Sequence, residues 1–184
     1  VEDNPAELEN VPEPLRTLEM CMTAVEQYGF LLEAVPIELR TEEMCMKAVR
    51  QHGSALKFVP ESIISEEMCM KAVRQDAFAL EFVPESMRTE EMYLIAVAQE
   101  PIALQYLPAE MRTFELCSDA VKKEPLAFSF VPDELKTPEM CLMVVKEDGY
   151  QLKDVPDELR SHEICISAYQ NHISALEFIP EKFI

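Results

Sequence analysis

The sequence predicts an all-α fold, a superhelical solenoid of 24-residue repeats in which each unit is a long helix, a short helix and a 3₁₀ turn. Three observations carry this. Proline recurs at Pro12, Pro36, Pro60, Pro84, Pro108, Pro132, Pro156 and Pro180, every interval being 24 residues. An aliphatic residue precedes each one (Val11, Val35, Val59, Val83, Leu107, Val131, Val155, Ile179), and a hydroxyl stands five residues after the first seven, at Thr17, Thr41, Ser65, Thr89, Thr113, Thr137 and Ser161. Glycine numbers only 3 against 13 prolines, so proline is the punctuation between short helices. No unit of this size buries its own apolar stripe, and neighbours must stack into a shared core.

The long helix comes first. Its start is set by the hydroxyl, which accepts an otherwise unpaired N–H, and by the acidic residues behind it, which complement the positive end of the helix dipole. Pro138 directly follows Thr137, at the helical position proline tolerates best. Aligned on the first full repeat, column 20 holds Met20, Met44, Met68, Met92, Leu116, Met140 and Ile164, and column 21 holds six cysteines with Tyr93 in the fourth place. Columns 24 and 25 are Ala or Val apart from Tyr169. Helical spacing puts columns 20, 21, 24, 25 and 28 on one face of a helix of about eleven residues.

That helix is expected to end near Gly29, Gly53 and Gly149 in a left-handed cap, or at Pro101 and Pro125, where a second helix begins. The second apolar segment, such as Phe30 to Val35, is too short to be stable alone and is stopped by the next proline. From that proline to the hydroxyl, the chain reads as a tight turn or short 3₁₀ helix with one apolar anchor, such as Leu39 or Ile63. The whole of 1–184 reads as a single helical-repeat domain: a half repeat over 1–16, then repeats starting near 17, 41, 65, 89, 113, 137 and 161. The chain opens with Val1 and in mid-repeat, an arrangement expected of a piece of a longer protein.

The period and the pattern Val-Pro-x-x-Leu-Arg-Thr-x-Glu-Met-Cys-x-x-Ala-Val resemble a short helical repeat known as a domain of unknown function, found in effector-like proteins of intracellular bacterial pathogens and in some protists. The architecture is also similar to that of leucine-rich repeat variant proteins, which alternate α and 3₁₀ helices in a superhelix. The first resemblance implies a cytoplasmic protein or one translocated into a host cytosol. Neither implies an activity.

The repeat also accounts for the residues that suggest chemistry. Cysteines on successive parallel helices lie about 8 to 10 Å apart, beyond the roughly 7 Å at which a disulfide closes, and no C-x-x-C or convergent histidine completes a zinc site. They read as small buried hydrophobes in a reducing compartment. The glutamates of column 19 and the basic residues of column 16 (Arg16, Arg40, Arg88, Arg112, Lys136, Arg160, with Ile64 the exception) read as dipole complements joined in an Arg–Glu ladder between repeats. His52, His162 and His172 read as solvated or capping residues. No phosphate loop, nucleophile elbow or metalloprotease motif occurs, so neither an enzyme nor a cofactor is expected.

With 35 acidic against 16 basic residues, the net charge of −19 repels nucleic acid and anionic lipid, and no apolar run is long enough to span a membrane. Function then rests with columns that stacking does not fix. Column 23 reads Thr23, Lys47, Lys71, Ile95, Asp119, Met143, Ser167, and column 26 reads Glu26, Arg50, Arg74, Ala98, Lys122, Lys146, Gln170. Both are expected opposite the core stripe, where Ile95 and Ala98, flanked by Leu94, form an apolar patch, with Met143 a further candidate. Column 22 (Met22, Met46, Met70, Leu94, Leu142, Ile166) reads as packing between repeats. The expected role is a non-enzymatic scaffold for a protein or peptide partner, a basic one being the complement of its charge. The alternative is a structural spacer or oligomerisation segment attached to a catalytic domain elsewhere in a longer, effector-like protein. Neither reading fixes the oligomeric state.

Overall fold

The computed structural model describes residues 5–183, so residues 1–4 of the half repeat and Ile184 lie outside the described residues. Those described contain no strand. They form seven α-helices: α1 (Leu18–Gln27), α2 (Glu42–Gln51), α3 (Glu66–Gln75), α4 (Glu90–Gln99), α5 (Phe114–Lys123), α6 (Pro138–Glu147) and α7 (His162–Asn171). After each comes a six-residue 3₁₀ helix, such as Gly29–Ala34, and then a three-residue one, such as Ile37–Leu39. The chain divides into two compact units, Val1–Gln99 and Glu100–Ile184.

Each helix begins where the sequence places it. The hydroxyls of Thr17, Thr41, Ser65 and Thr89 in the first unit accept the N–H three residues on at 3.3 Å. Those of Thr113, Thr137 and Ser161 do so in the second unit at 3.2 to 3.3 Å. Ends differ from expectation in two ways. The helices have ten residues, and Tyr28 is an exposed cap rather than part of the buried stripe. The left-handed glycine cap is absent too: no described glycine has a positive φ, and Tyr28, just before Gly29, is extended at φ −137°, ψ 95°. Gly29 answers to space instead, because a Cβ there would sit 2.8 Å from the Ala48 carbonyl oxygen of α2.

The second segment is 3₁₀ throughout, bonded i to i+3, as from Leu31 N–H to Tyr28 C=O at 2.9 Å. Six residues between an extended cap and a proline leave too little chain for α-helical pairing. The residue ahead of that proline is forced extended, as at Val35 with ψ 129°.

In the first unit, the 3₁₀ helix Gly29–Ala34 packs against α1 and α2, and Gly53–Phe58 against α2 and α3. Leu32, Leu56 and Leu80 are fully buried there beneath Cys45, Ala48 and Val49 and their equivalents. In the second unit, Leu104, Phe128 and Leu152 are fully buried at the equivalent positions, as are Cys117, Cys141, Val144 and Val145 on the α-helices. Each such side chain contributes about 1.5–3 kcal/mol through burial.

The expected Arg–Glu ladder is not what column 16 builds. Arg40 donates from Nε to the Val35 carbonyl at 2.9 Å, from Nη2 to that of Glu33 at 3.2 Å and from Nη1 to that of Phe58 at 2.5 Å. Arg16 makes the equivalent three bonds in the first unit, as do Arg112 and Arg160 in the second. The 3₁₀ helices leave carbonyls unpaired at their ends, and a forked five-donor guanidinium satisfies several at once, which outweighs a surface ion pair.

An amide column makes a second tie between repeats. Gln51 accepts the Gly29 N–H at 2.8 Å and donates to the Val25 and Glu26 carbonyls at 3.1 and 3.0 Å, sealing the C-terminal end of α1. Asn171 does the same for α6 in the second unit, accepting from Gly149 at 2.8 Å and donating to Lys146 at 2.8 Å.

Candidate interaction surface

The cysteines are out of contention as a reactive row. All six are buried and free. Burial pushes every thiol up, that of Cys45 to about 11 against the smaller opposing pull of Arg40, and that of Cys141 likewise to about 11. They are therefore protonated and enclosed at neutral pH. No group of three or more described His, Cys, Asp or Glu side chains is placed to hold a metal ion. His52 and His172 sit at helix ends, where His172 Nδ1 accepts the Ser174 N–H at 3.3 Å, and His162 lies exposed in the first turn of α7.

The outer surfaces of the α-helices remain. Column 26 is exposed along its length, as expected, but column 23 is half-buried nearly throughout, Asp119 alone being exposed. The register explains the difference: Lys47 of column 23 reaches back to Glu26 of α1 at 2.5 Å, so this column faces the preceding helix rather than open solvent. A second tie, Arg74 to Glu91 at 2.9 Å, links α3 to α4.

Leu94, Ile95 and Ala98 lie together on α4. Leu94 is 45% exposed, Ala98 is exposed and Ile95 is half-buried. Ile95 thus contributes an edge to the patch, whereas Leu94 and Ala98 form its open surface. Where α2 places Lys47 and Arg50, α4 places Ile95 and Ala98, so the outer face of α4 carries no basic side chain.

Met143 lies apart from these three, on α6 in the second unit. It lines a groove of about 330 Å³ with Phe114, Ser118 and Lys122 of α5 and Glu139 and Met140 of α6. Phe114 is 47% exposed. The sequence signals for this groove are single departures from the repeat. Ser118 is the one small polar residue in column 22, and Phe114 the one aromatic residue in column 18. The amide tie is also impossible here: its position on α6 is Glu147, whose carboxylate has no donor, and the facing residue is Pro125, which has no N–H.

Among the described residues, no helix is long and apolar enough to cross a membrane. A family model described as a domain of unknown function, DUF4116, matches residues 17–64, 41–88, 65–112, 89–136, 113–160 and 137–184. Successive matches advance by 24 residues, so each covers two repeats in the register that the prolines mark. No curated protein and no solved structure matches the chain.

Proposed function

We propose that this chain, which belongs to the DUF4116 family of domains of unknown function, is a non-enzymatic scaffold that binds a protein partner through the outer faces of its α-helices. The observation that carries this reading is α4, where exposed Leu94 and Ala98 stand at positions given to polar, charged or partly buried side chains in most other repeats, while Met92, Ala96 and Val97 keep the buried pattern. Selection on stacking alone leaves exposed columns free to be charged, and an apolar cluster on a chain of net charge −19 is the departure a contact surface needs. The acidic balance favours a partner with basic residues around an apolar centre. Six buried thiols suit a reducing compartment such as a cytosol, a host's included.

The test is Leu94→Asp combined with Ala98→Glu, changes that touch only exposed positions. Proteins captured by the wild-type chain from a native lysate are compared with those captured by the double variant, and the mass of each chain in solution is measured by light scattering. Loss of a captured protein with an unchanged melting temperature supports the scaffold. Identical capture and identical mass refute the α4 surface and leave the spacer reading in its place.

A further inference from the structure

We propose that the groove between α5 and α6 seats one α-helix of a partner protein, antiparallel to both, with an acidic first turn, a Met or Leu side chain at its middle and a basic last turn. This rests on the scaffold reading and adds a second surface with a defined occupant.

The shape of the vacancy is set by the repeat itself. Column 22 carries Met22, Met46, Met70, Leu94, Leu142 and Ile166, all large and flexible or branched aliphatic side chains, and Ser118 alone lacks that bulk. The groove beside Ser118 has apolar walls in Phe114, Met140 and Met143. Its volume exceeds that of one aliphatic side chain, so a knob entering from outside has room. Nothing ties the C-terminal ends of α5 and α6 through the amide column, since Glu147 and Pro125 occupy the two positions that would form the bridge.

Charge gives the occupant its direction. Both helices carry an acid in the first turn, Glu115 on α5 and Glu139 on α6, and base in the last turn, Lys122 and Lys123 on α5 and Lys146 on α6. Lys122 pairs with Asp119 at 3.4 Å, but both side chains are more than half exposed, and such a pair contributes little and yields to a better partner. A guest helix lying antiparallel brings its acidic first turn to Lys122 and Lys146 and its basic last turn to Glu115 and Glu139, and its dipole opposes theirs. Ten residues of host helix offer about 15 Å of length, enough for nearly three turns of guest.

The probe is a labelled, end-capped synthetic helix of about fourteen residues with Glu in the first turn, one Leu at the centre and Lys in the last turn, titrated with the full chain by fluorescence anisotropy. Two further peptides exchange the charged ends or replace the Leu with Ala. The wild-type chain is expected to bind the parent peptide at least about tenfold more tightly than either control. Ser118→Met restores the side chain that other repeats carry, so it is expected to raise the melting temperature and weaken the parent peptide by at least about tenfold. Combining Lys122→Glu with Lys146→Glu is expected to weaken the parent peptide, whose acidic first turn then meets carboxylates. The proposal is overturned if the parent peptide does not bind, if Ser118→Met leaves its affinity unchanged, or if the charge-exchanged peptide binds the wild type equally well. Each of these leaves the α4 surface untouched, because Leu94→Asp with Ala98→Glu is read separately.

Discussion

The Arg40 guanidinium donates from Nη1 to the Phe58 carbonyl oxygen at 2.5 Å, across eighteen residues of sequence, while its Nε holds the Val35 carbonyl at 2.9 Å. One side chain thus joins the end of one 3₁₀ helix to the end of the next. Arg40→Ala is expected to cost about 1–3 kcal/mol, because partly buried carbonyls lose their donor. Arg40→Lys is expected to cost less, since Lys136 at the equivalent place still reaches the Asp154 carbonyl at 2.7 Å. Urea unfolding of the two variants orders them.

Gly29 lies against α2, where an added Cβ would meet the Ala48 carbonyl oxygen at 2.8 Å and the Ala48 Cα at 3.1 Å. Both are backbone atoms and cannot swing aside. Gly29→Ala is therefore expected to destabilise by about 1–3 kcal/mol, with Ser54→Ala, at a half-buried position one repeat on, as a near-neutral control. Thermal melts of both distinguish a packing clash from a general intolerance of alanine.

The thiols make a pH prediction with a definite sign. Burial raises Cys45 and Cys141 to about 11 from an ordinary value of 9.0. The stabilisation is fully present below pH 9 and is lost as pH rises toward 11, because the unfolded chain releases thiol protons that the folded chain retains. Stability measured by urea at fixed ionic strength is expected to fall across that window, and to fall less steeply in Cys45→Ala with Cys141→Ala. At pH 8 the native chain should be inert to a thiol reagent that labels all six cysteines in denaturant.

The missing tie between α5 and α6 can be supplied. Pro125→Gly restores a backbone N–H and Glu147→Gln restores an amide, recreating the pair that Gly29 and Gln51 form at 2.8 Å. Pro125→Gly alone supplies the N–H, which the Glu147 carboxylate can accept, and Glu147→Gln alone supplies the donor to the carbonyls at the end of α5, so only the double variant completes both halves of the tie. Glu147→Gln is expected to stabilise by about 1 kcal/mol through its donated half, and unchanged stability in a urea titration would show that the ends of α5 and α6 do not approach closely enough.

Most of the fold was legible because one period governs it: eight prolines and seven hydroxyls at fixed offsets mark where every helix starts and stops. What escaped was the chemistry between repeats. Arg40 and Glu43 look like an ion pair on paper, yet the unpaired carbonyls that claim the guanidinium belong to 3₁₀ ends, and their demand is invisible until the second segment is known to be 3₁₀. The amide column was open to reading, since Gln27, Gln51, Gln75 and Gln99 recur in register. Its meaning depends on the close approach at Gly29. Column 23 was misplaced because a wheel drawn for a single helix omits the neighbour that covers Lys47. On the candidate surface, Ile95 and Ala98 stood out as apolar residues in columns that are mostly polar or charged, whereas the groove beside Met143 follows from side chains that are absent, a signal that appears only when Ser118 is compared with its column.

The guanidinium clasp of Arg40 has its two partners at fixed offsets, five residues before and eighteen after. Removing or adding one whole unit leaves every such clasp with an equivalent carbonyl on either side, whereas a change of any other length strands it. α2 and α3 already share one ten-residue sequence, EEMCMKAVRQ. Near-identical coding segments are prone to unequal recombination, and here the products of such exchange, longer or shorter by a complete repeat, fold by the same rules, so related chains can differ in copy number while keeping each joint intact.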